Sequence, residues 1–165
     1  MTTAKSSFIE IARFGVLAGF AGGLAEVVWI GVYGALSGTS VDLLAREVTR
    51  SIVPSYGASS SSAWLGILIH LILAVGLGIS LAFAIRFSLR KHGRVYAEYS
   101  LVILTLTMVW AVNFLLVLPY FNPRFVDLLP YSVTLVSKLL FGLSAATVLC
   151  IERMRVISIF RPTSV

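Results

Sequence analysis

Four polar side chains interrupt long apolar stretches of this chain, and their types can move protons, pair charges or bind metal ions. They are Glu26, His70, Asn113 and Lys138. A charged side chain deep in a bilayer costs at least ~2.5 kcal/mol, so we expect Glu26 to pair with Lys138. His70 and Asn113 are expected to form a second pair. Two interpretations stay open: a proton relay or substrate-coupling site, or polar clasps that set the register of neighbouring helices.

The stretches around these residues are long enough to cross a bilayer. The chain has 165 residues, of which 58% are hydrophobic and only 12% charged, and its mean hydropathy is +0.97. Soluble domains are only about half apolar. The sequence therefore predicts an all-α integral membrane protein, a single domain over 1–165. We expect a four-transmembrane-helix bundle with spans at about 14–36, 64–85, 99–118 and 130–151, the third ending at Pro119.

The four polar residues are expected at similar depths. At 1.5 Å per residue, Glu26 lies roughly 15 Å from the outer end of its span, Lys138 about 12 Å, and His70 and Asn113 about 9 Å each. All four then belong to the outer half of the bundle, and we call them the polar layer. The inner halves of the predicted spans contain no ionisable residue between the interface and this layer.

Glycines recur at helical spacing along the spans. Gly15, Gly19 and Gly23 form a doubled GxxxG pattern, which lets another helix approach closely, either within the bundle or from a separate subunit. Close helix packing is predicted at Gly15, Gly19, Gly22, Gly23, Gly66, Gly78 and Gly142.

The first predicted loop contains a short amphipathic helix at about 40–53, before Pro54. Thr39 and Asp42 have the spacing of a capping box. The apolar positions recur at helical spacing, and they are Val41, Leu44, Val48 and Ile52. Most of the remaining surface is polar, with Asp42, Arg46, Glu47, Thr49 and Arg50. The pattern suits a helix at the membrane surface or against the bundle, and it suits a solvated helical loop without lipid contact equally well.

Basic residues predict the orientation of the chain. Nine lie on the side of the termini, namely Lys5, Arg13, Arg86, Arg90, Lys91, Arg94, Arg153, Arg155 and Arg161. Three lie on the other side, namely Arg46, Arg50 and Arg124. By the positive-inside rule, both termini and the 86–98 loop are cytoplasmic, and we expect a bacterial cytoplasmic (inner) membrane. The net charge of +6 then reflects loops near anionic headgroups rather than nucleic-acid binding.

Several kinds of chemistry are disfavoured. Cys150 is the sole cysteine, so an intramolecular disulfide and a CxxC redox pair are excluded. No P-loop, GxSxG or strand-linked GxGxxG motif is present. A metal site would need Glu26, His70 and Asn113 to converge, and His92 falls in the opposite loop, which excludes bis-histidine haem ligation within one chain. No cofactor is expected from this chain alone, whereas a haem, quinone or metal shared with a partner subunit stays open.

The sequence therefore supports three ranked functions. The first is an accessory or structural subunit of a larger membrane complex, of respiratory or oxidase type, which binds other membrane subunits within the lipid bilayer. The second is a small proton-coupled transporter or channel, working as a homo-oligomer, that uses Glu26, Lys138 and His70. The third is a metal-dependent membrane enzyme subunit; on its own the chain is not expected to be catalytic.

Overall fold

The computed structural model describes residues 2–88 and 95–159, with side chains over 8–88 and 96–151. Within these ranges the chain is helical and contains no strand. In order, the elements are α1 (Thr2–Ser37), α2 (Val41–Ile52), a 3₁₀ turn (Pro54–Tyr56), α3 (Ser62–Ser88), α4 (Val95–Val112), a π-helical turn (Asn113–Val117), α5 (Leu118–Phe121), α6 (Pro123–Leu128) and α7 (Tyr131–Ile159).

Four helical stretches are long and apolar enough to cross a membrane, as predicted. They are Phe8–Ser37, Ser62–Ser88, Tyr96–Phe121 and Tyr131–Ile151. Their composition suggests a membrane-embedded, multi-pass protein. Residues 89–94 of the predicted 86–98 loop, including His92, lie outside the described residues, as does Arg161.

The long helices pack in the order α3, α1, α7, α4. Helix α1 is central, with α3 on one side and α7 on the other, and α7 also packs against α4. By contrast, α3 and α4 make only sparse contact with each other, and we call the line between them the α3–α4 seam. The apolar core lies where α1, α3, α4 and α7 meet, around Leu81, Val102, Leu106, Phe141 and Ala145.

Glycine allows the close approach of α1 and α3. A β-carbon added at Gly15 would lie 2.5 Å from Ile79 Cα, and one at Gly78 would meet the backbone of Gly15 and Gly19. Because non-bonded carbon atoms normally stay about 3.5–4.0 Å apart, only glycine allows the two backbones to touch here. The other glycines predicted at packing positions also face a neighbouring helix, namely Gly22, Gly23, Gly66 and Gly142.

The third long helix passes through Pro119, and the prediction that it ends there is wrong. The π-helical turn at Asn113–Val117 precedes Pro119, and the amide of Leu118 bonds to the carbonyl of Asn113. Proline has no amide hydrogen, and its ring clashes with the preceding turn of a regular α-helix. The wider turn changes the bonding pattern just before Pro119, so the helix continues to Phe121.

The prediction for the start of α2 also needs correction. Ser40, rather than Thr39, caps α2, because its hydroxyl accepts a bond of 3.3 Å from the amide of Leu43. The segment after Phe121 contains the short helix α6, which is capped by the side chain of Asn122. An Asn-Pro pair suits this role, since asparagine caps well and proline fits the first helical position.

Candidate functional site

Glu26 lies in the interior of the bundle and is paired with α7. Its side chain is almost fully buried, with 3% of the residue exposed. Lys138 Nζ lies 2.7 Å from Glu26 Oε1, and Ser137 Oγ donates a hydrogen bond of 3.2 Å to the same oxygen. The ion pair expected between Glu26 and Lys138 is therefore present, and it joins α1 to α7.

His70 approaches Glu26 rather than Asn113, so the expected pairing of His70 with Asn113 is wrong. His70 Nε2 lies 3.5 Å from Glu26 Oε2, beyond the usual hydrogen-bond range of about 2.7–3.2 Å. Both atoms are buried, and neither makes a hydrogen bond within the described part of the chain. The packing explains the difference, because α3 lies against α1 and scarcely touches α4, and Asn113 begins the π-helical turn that directly follows α4.

The four residues of the polar layer nevertheless line one cavity of about 430 Å³. Its polar lining consists of Glu26, His70, Asn113, Lys138, Ser51, Thr134 and Ser137, and the rest of the lining is apolar. A volume within about 300–1,000 Å³ and an apolar wall with a few convergent polar groups are typical of a small-molecule site. The sequence predicted the depth of these residues, and the structure adds the space between them.

Helix α2 covers one end of this cavity. Its apolar face contributes Val41, Leu44, Ala45, Val48 and Ile52 to the cavity lining. The helix therefore lies against the bundle, which decides among the positions that its periodicity allowed. The start of α3 holds it closely, since a β-carbon at Gly66 would collide with the carbonyl oxygen of Ala45.

A second charged cluster attaches α2 to the segment before α7, and the sequence did not predict it. Glu47 is fully buried, with 0% exposed, although its position on α2 had been assigned to the polar surface. Its Oε1 lies 2.5 Å from Arg50 Nη1 and 3.5 Å from Arg124 Nε. Asn122 Nδ2 donates a hydrogen bond of 3.2 Å to its other oxygen. We call Glu47, Arg50, Asn122 and Arg124 the anchor cluster.

Hydrogen bonds also join α2 to the start of α3. Thr49, expected on the surface, is buried and donates a bond of 2.5 Å from its hydroxyl to the carbonyl of Ser62. Arg46 Nη1 donates to Ser59 O at 2.7 Å and to Ser62 Oγ at 2.9 Å. Helix α2 is thus fixed on both flanks, to α3 and to the α5–α6 turn. The sequence offered one local indication that these two side chains are buried. Glu47 and Thr49 flank the apolar stripe of α2 rather than lying opposite it.

Two tryptophans position the start of α7, the helix that carries Lys138. Trp29 Nε1 donates to Val133 O at 3.0 Å, and Trp110 Nε1 donates to Thr134 Oγ1 at 2.9 Å. Their indole N–H groups hold α7 between α1 and α4.

Directly beyond Lys138, towards the end of the bundle that carries the chain termini, apolar side chains pack the interior. Lys138 Nζ lies 5.5 Å from the ring centroid of Phe141, which is fully buried. Leu106, Val102 and Ala145, each 0% exposed, continue this packing. Among the described residues, this apolar packing closes the cavity directly below the charged residues.

Over residues 8–88 and 96–151, no group of three or more His, Cys, Asp and Glu side chains is close enough to hold a metal ion. Glu26 and His70 supply two donors, and the neighbouring ammonium of Lys138 opposes a cation at the same place. The arrangement is better suited to binding a polar group or a proton. No family model, curated protein or solved structure matches this chain.

Proposed function

We propose that this protein is a membrane-embedded subunit of a larger membrane assembly, and that its contribution is a one-sided binding cavity beneath α2. The observation that carries the proposal is the position of Glu26. This buried carboxylate is paired with Lys138, has one oxygen that no described residue hydrogen-bonds, and lies at the wall of a cavity of about 430 Å³.

The closed end of the cavity favours binding over conduction. Phe141 and Leu106 are fully buried between the site and the terminal end of the bundle, so apolar side chains block this route within the part of the chain that the structure describes. A site that opens on one side can hold a ligand without moving it across the bilayer. A ligand held in such a site can serve a neighbouring chain, which is compatible with the subunit role.

We place the α2 end of the bundle outside a bacterial cytoplasmic membrane and the termini in the cytoplasm. The support for this orientation is the excess of Lys and Arg on the terminal side. The cavity then opens towards the outer leaflet. A respiratory or oxidase-type complex would use a small, apolar, multi-pass subunit of this kind.

Gentle extraction of the tagged chain from its native membrane, followed by native mass spectrometry, tests the subunit role. We expect a complex of defined stoichiometry with unlike membrane chains. A matched preparation carrying Gly76→Leu, at an open position of α3, is expected to give the same complex. Recovery of the chain only as a monomer or homo-oligomer would contradict the proposal.

A second candidate is a small proton-coupled transporter, and the specific observation in its favour is the approach of His70 to Glu26. An imidazole nitrogen and a carboxylate oxygen 3.5 Å apart can share a proton after a small side-chain movement. His70 is partly exposed, with 27% of its side chain accessible, whereas Glu26 is buried. A proton would thus pass from the cavity to His70 and then to Glu26.

Flux measurements in liposomes distinguish this candidate. If it is right, Glu26→Gln abolishes pH-dependent flux, whereas Glu10→Gln, at an exposed position of the same helix, leaves it unchanged. Because Glu26→Gln leaves Lys138 without its counter-charge, the charge-balanced double variant Glu26→Gln/Lys138→Met must lose flux as well. Full flux in the double variant would eliminate this candidate.

A further inference from the structure

The rim of the cavity is apolar. Four of the residues that line the cavity are also exposed, namely Val41, Ile52, Leu73 and Val109. All four are aliphatic, and they come from α2 and from the two helices of the α3–α4 seam. Because Leu73 on α3 and Val109 on α4 both line the cavity and are both exposed, the cavity reaches the apolar surface of the bundle at the α3–α4 seam. A molecule that enters there comes from lipid rather than from water.

The inner end of the cavity lacks hydrogen-bond partners. Glu26 Oε2 and His70 Nε2 are buried and unbonded within the described residues. A buried polar atom without a partner is destabilising, so a ligand group that bonds to both atoms would recover the lost hydrogen-bond energy. A hydroxyl group meets this requirement, since it donates one hydrogen bond and accepts others. It can donate to Glu26 Oε2 and accept from the ammonium of Lys138 or, in the tautomer that carries its proton on Nε2, from His70.

The charge of the site selects against an ionised head group. Lys138 and Glu26 already balance each other at 2.7 Å. An added carboxylate or ammonium would therefore bring an uncompensated charge into a medium of low dielectric constant, which costs several kcal/mol. A neutral head group carries no such cost.

We infer that the cavity binds a neutral, hydroxyl-bearing amphiphile that enters sideways from the lipid leaflet on the α2 side, through the α3–α4 seam. The head group lies against Glu26 and His70, and the apolar tail leaves between Leu73 and Val109. This inference rests on the proposed function in one respect, because both place a ligand in the cavity.

Photolabelling with three probes tests the head group. The probes share a hexadecyl chain with a diazirine, and they differ only in the head: an alcohol, a carboxylate or a trimethylammonium group. With the full chain in lipid nanodiscs at neutral pH, we expect the alcohol to label the α3 and α4 peptides containing Leu73 and Val109 at least about fivefold more than either charged probe, a difference of about 1 kcal/mol. Equal labelling by all three, or preference for a charged probe, would overturn the inference.

Matched tryptophan substitutions test the route. Leu73 and Ile72 are adjacent on α3 and similarly exposed, at 58% and 61%, but only Leu73 lines the cavity. Leu73→Trp should abolish labelling by the alcohol, and Ile72→Trp should leave it intact. The same contrast is available on α4, where Val109→Trp should block labelling and Met108→Trp, outside the cavity lining, should not. Undiminished labelling in both Leu73→Trp and Val109→Trp would contradict entry through the seam.

The two proposals fail in different ways. A stoichiometric complex with unlike chains, combined with equal labelling by the three probes, contradicts the ligand inference and leaves the subunit role in place. Selective labelling by the alcohol in a chain that is isolated only as a homo-oligomer supports the ligand inference and contradicts the subunit role.

Discussion

Lys138 Nζ and Glu26 Oε1 lie 2.7 Å apart, with side-chain exposures of only 17% and 4%. The pair joins α7 to α1, and it is the point from which the cavity beneath α2 extends. A buried ion pair adds little net stability, because the cost of removing both charges from water offsets their attraction. Removal of only one residue of the pair is more costly, because it leaves the other charge buried without its partner.

Each single substitution of the pair should lower the free energy of unfolding more than the double substitution does. Glu26→Gln or Lys138→Met alone leaves one buried charge without its partner, and we expect each to lower the free energy of unfolding by about 3–5 kcal/mol. The double variant Glu26→Gln/Lys138→Met removes both charges and should lose less than either single variant. Equilibrium unfolding in mixed detergent micelles measures all three; simple additivity of the two single losses would disprove the coupling.

Two glycines of α3 should respond in opposite directions to alanine. A methyl group at Gly78 would collide with the backbone of Gly15 and Gly19, whereas one at Gly76 would meet nothing within 4 Å. Alanine favours the helix by about 0.5–1 kcal/mol over glycine, so Gly76→Ala should stabilise the protein slightly. Gly78→Ala should destabilise it by about 1–3 kcal/mol, because α1 and α3 must move apart. Thermal unfolding midpoints compare the two variants, and a shift of the same sign in both would count against the α1–α3 contact.

The anchor cluster should hold α2 over the cavity. Asn122 Nδ2 bonds to Glu47 Oε2 at 3.2 Å and to Ser51 Oγ at 2.9 Å. Asn122→Ala leaves a buried carboxylate oxygen without this donor, and we expect a loss of about 1–3 kcal/mol. Hydrogen exchange of the amides in Val41–Ile52 should become faster while that of α7 stays unchanged. Asp127→Ala, at an exposed position of α6, serves as the control; unchanged exchange in α2 after Asn122→Ala would show that the cluster does not hold the helix.

The hydrogen bond from Trp110 to Thr134 should contribute modestly to the packing of the third long helix against α7. Trp110→Phe removes the donor that lies 2.9 Å from Thr134 Oγ1, and interhelical bonds of this kind in membranes are worth about 0.6 kcal/mol on average and ~1.7 at most. Trp64→Phe, at a position that is 77% exposed, should change the stability less. A double-mutant cycle with Thr134→Val measures the bond itself, and a coupling energy near zero would mean that the indole acts only by filling space.

Hydropathy and helical spacing predicted much of this architecture. The four long helices were recognisable because a stretch that crosses about 30 Å of hydrocarbon needs some twenty apolar residues, and such runs are visible without any partner. The same reasoning gave similar depths to Glu26, His70, Asn113 and Lys138, which line one cavity. The glycines were recognisable because their spacing places them on a helix face.

Other features depended on contacts between distant segments. His70 was assigned to Asn113 because the two lie at similar depth, but depth says nothing about which helices are neighbours. Glu47 was placed on the surface because a carboxylate on an amphipathic helix is usually solvated, yet Asn122 and Arg124 come from far along the chain to bury it. Pro119 was expected to end a helix, and the preceding π-helical turn prevents this.

The sequence by itself determined the helical class of the protein, the number and approximate length of its long helices, and the similar positions of the charged residues along them. These follow from local properties, namely side-chain hydrophobicity and the rise per residue of a helix. Only the tertiary structure decided the order of packing, the partner of each charged group, the position of α2 and the existence of the cavity. Each of these depends on which surfaces meet, and that is settled by close packing and by the need to pair buried polar groups across segments far apart in the chain.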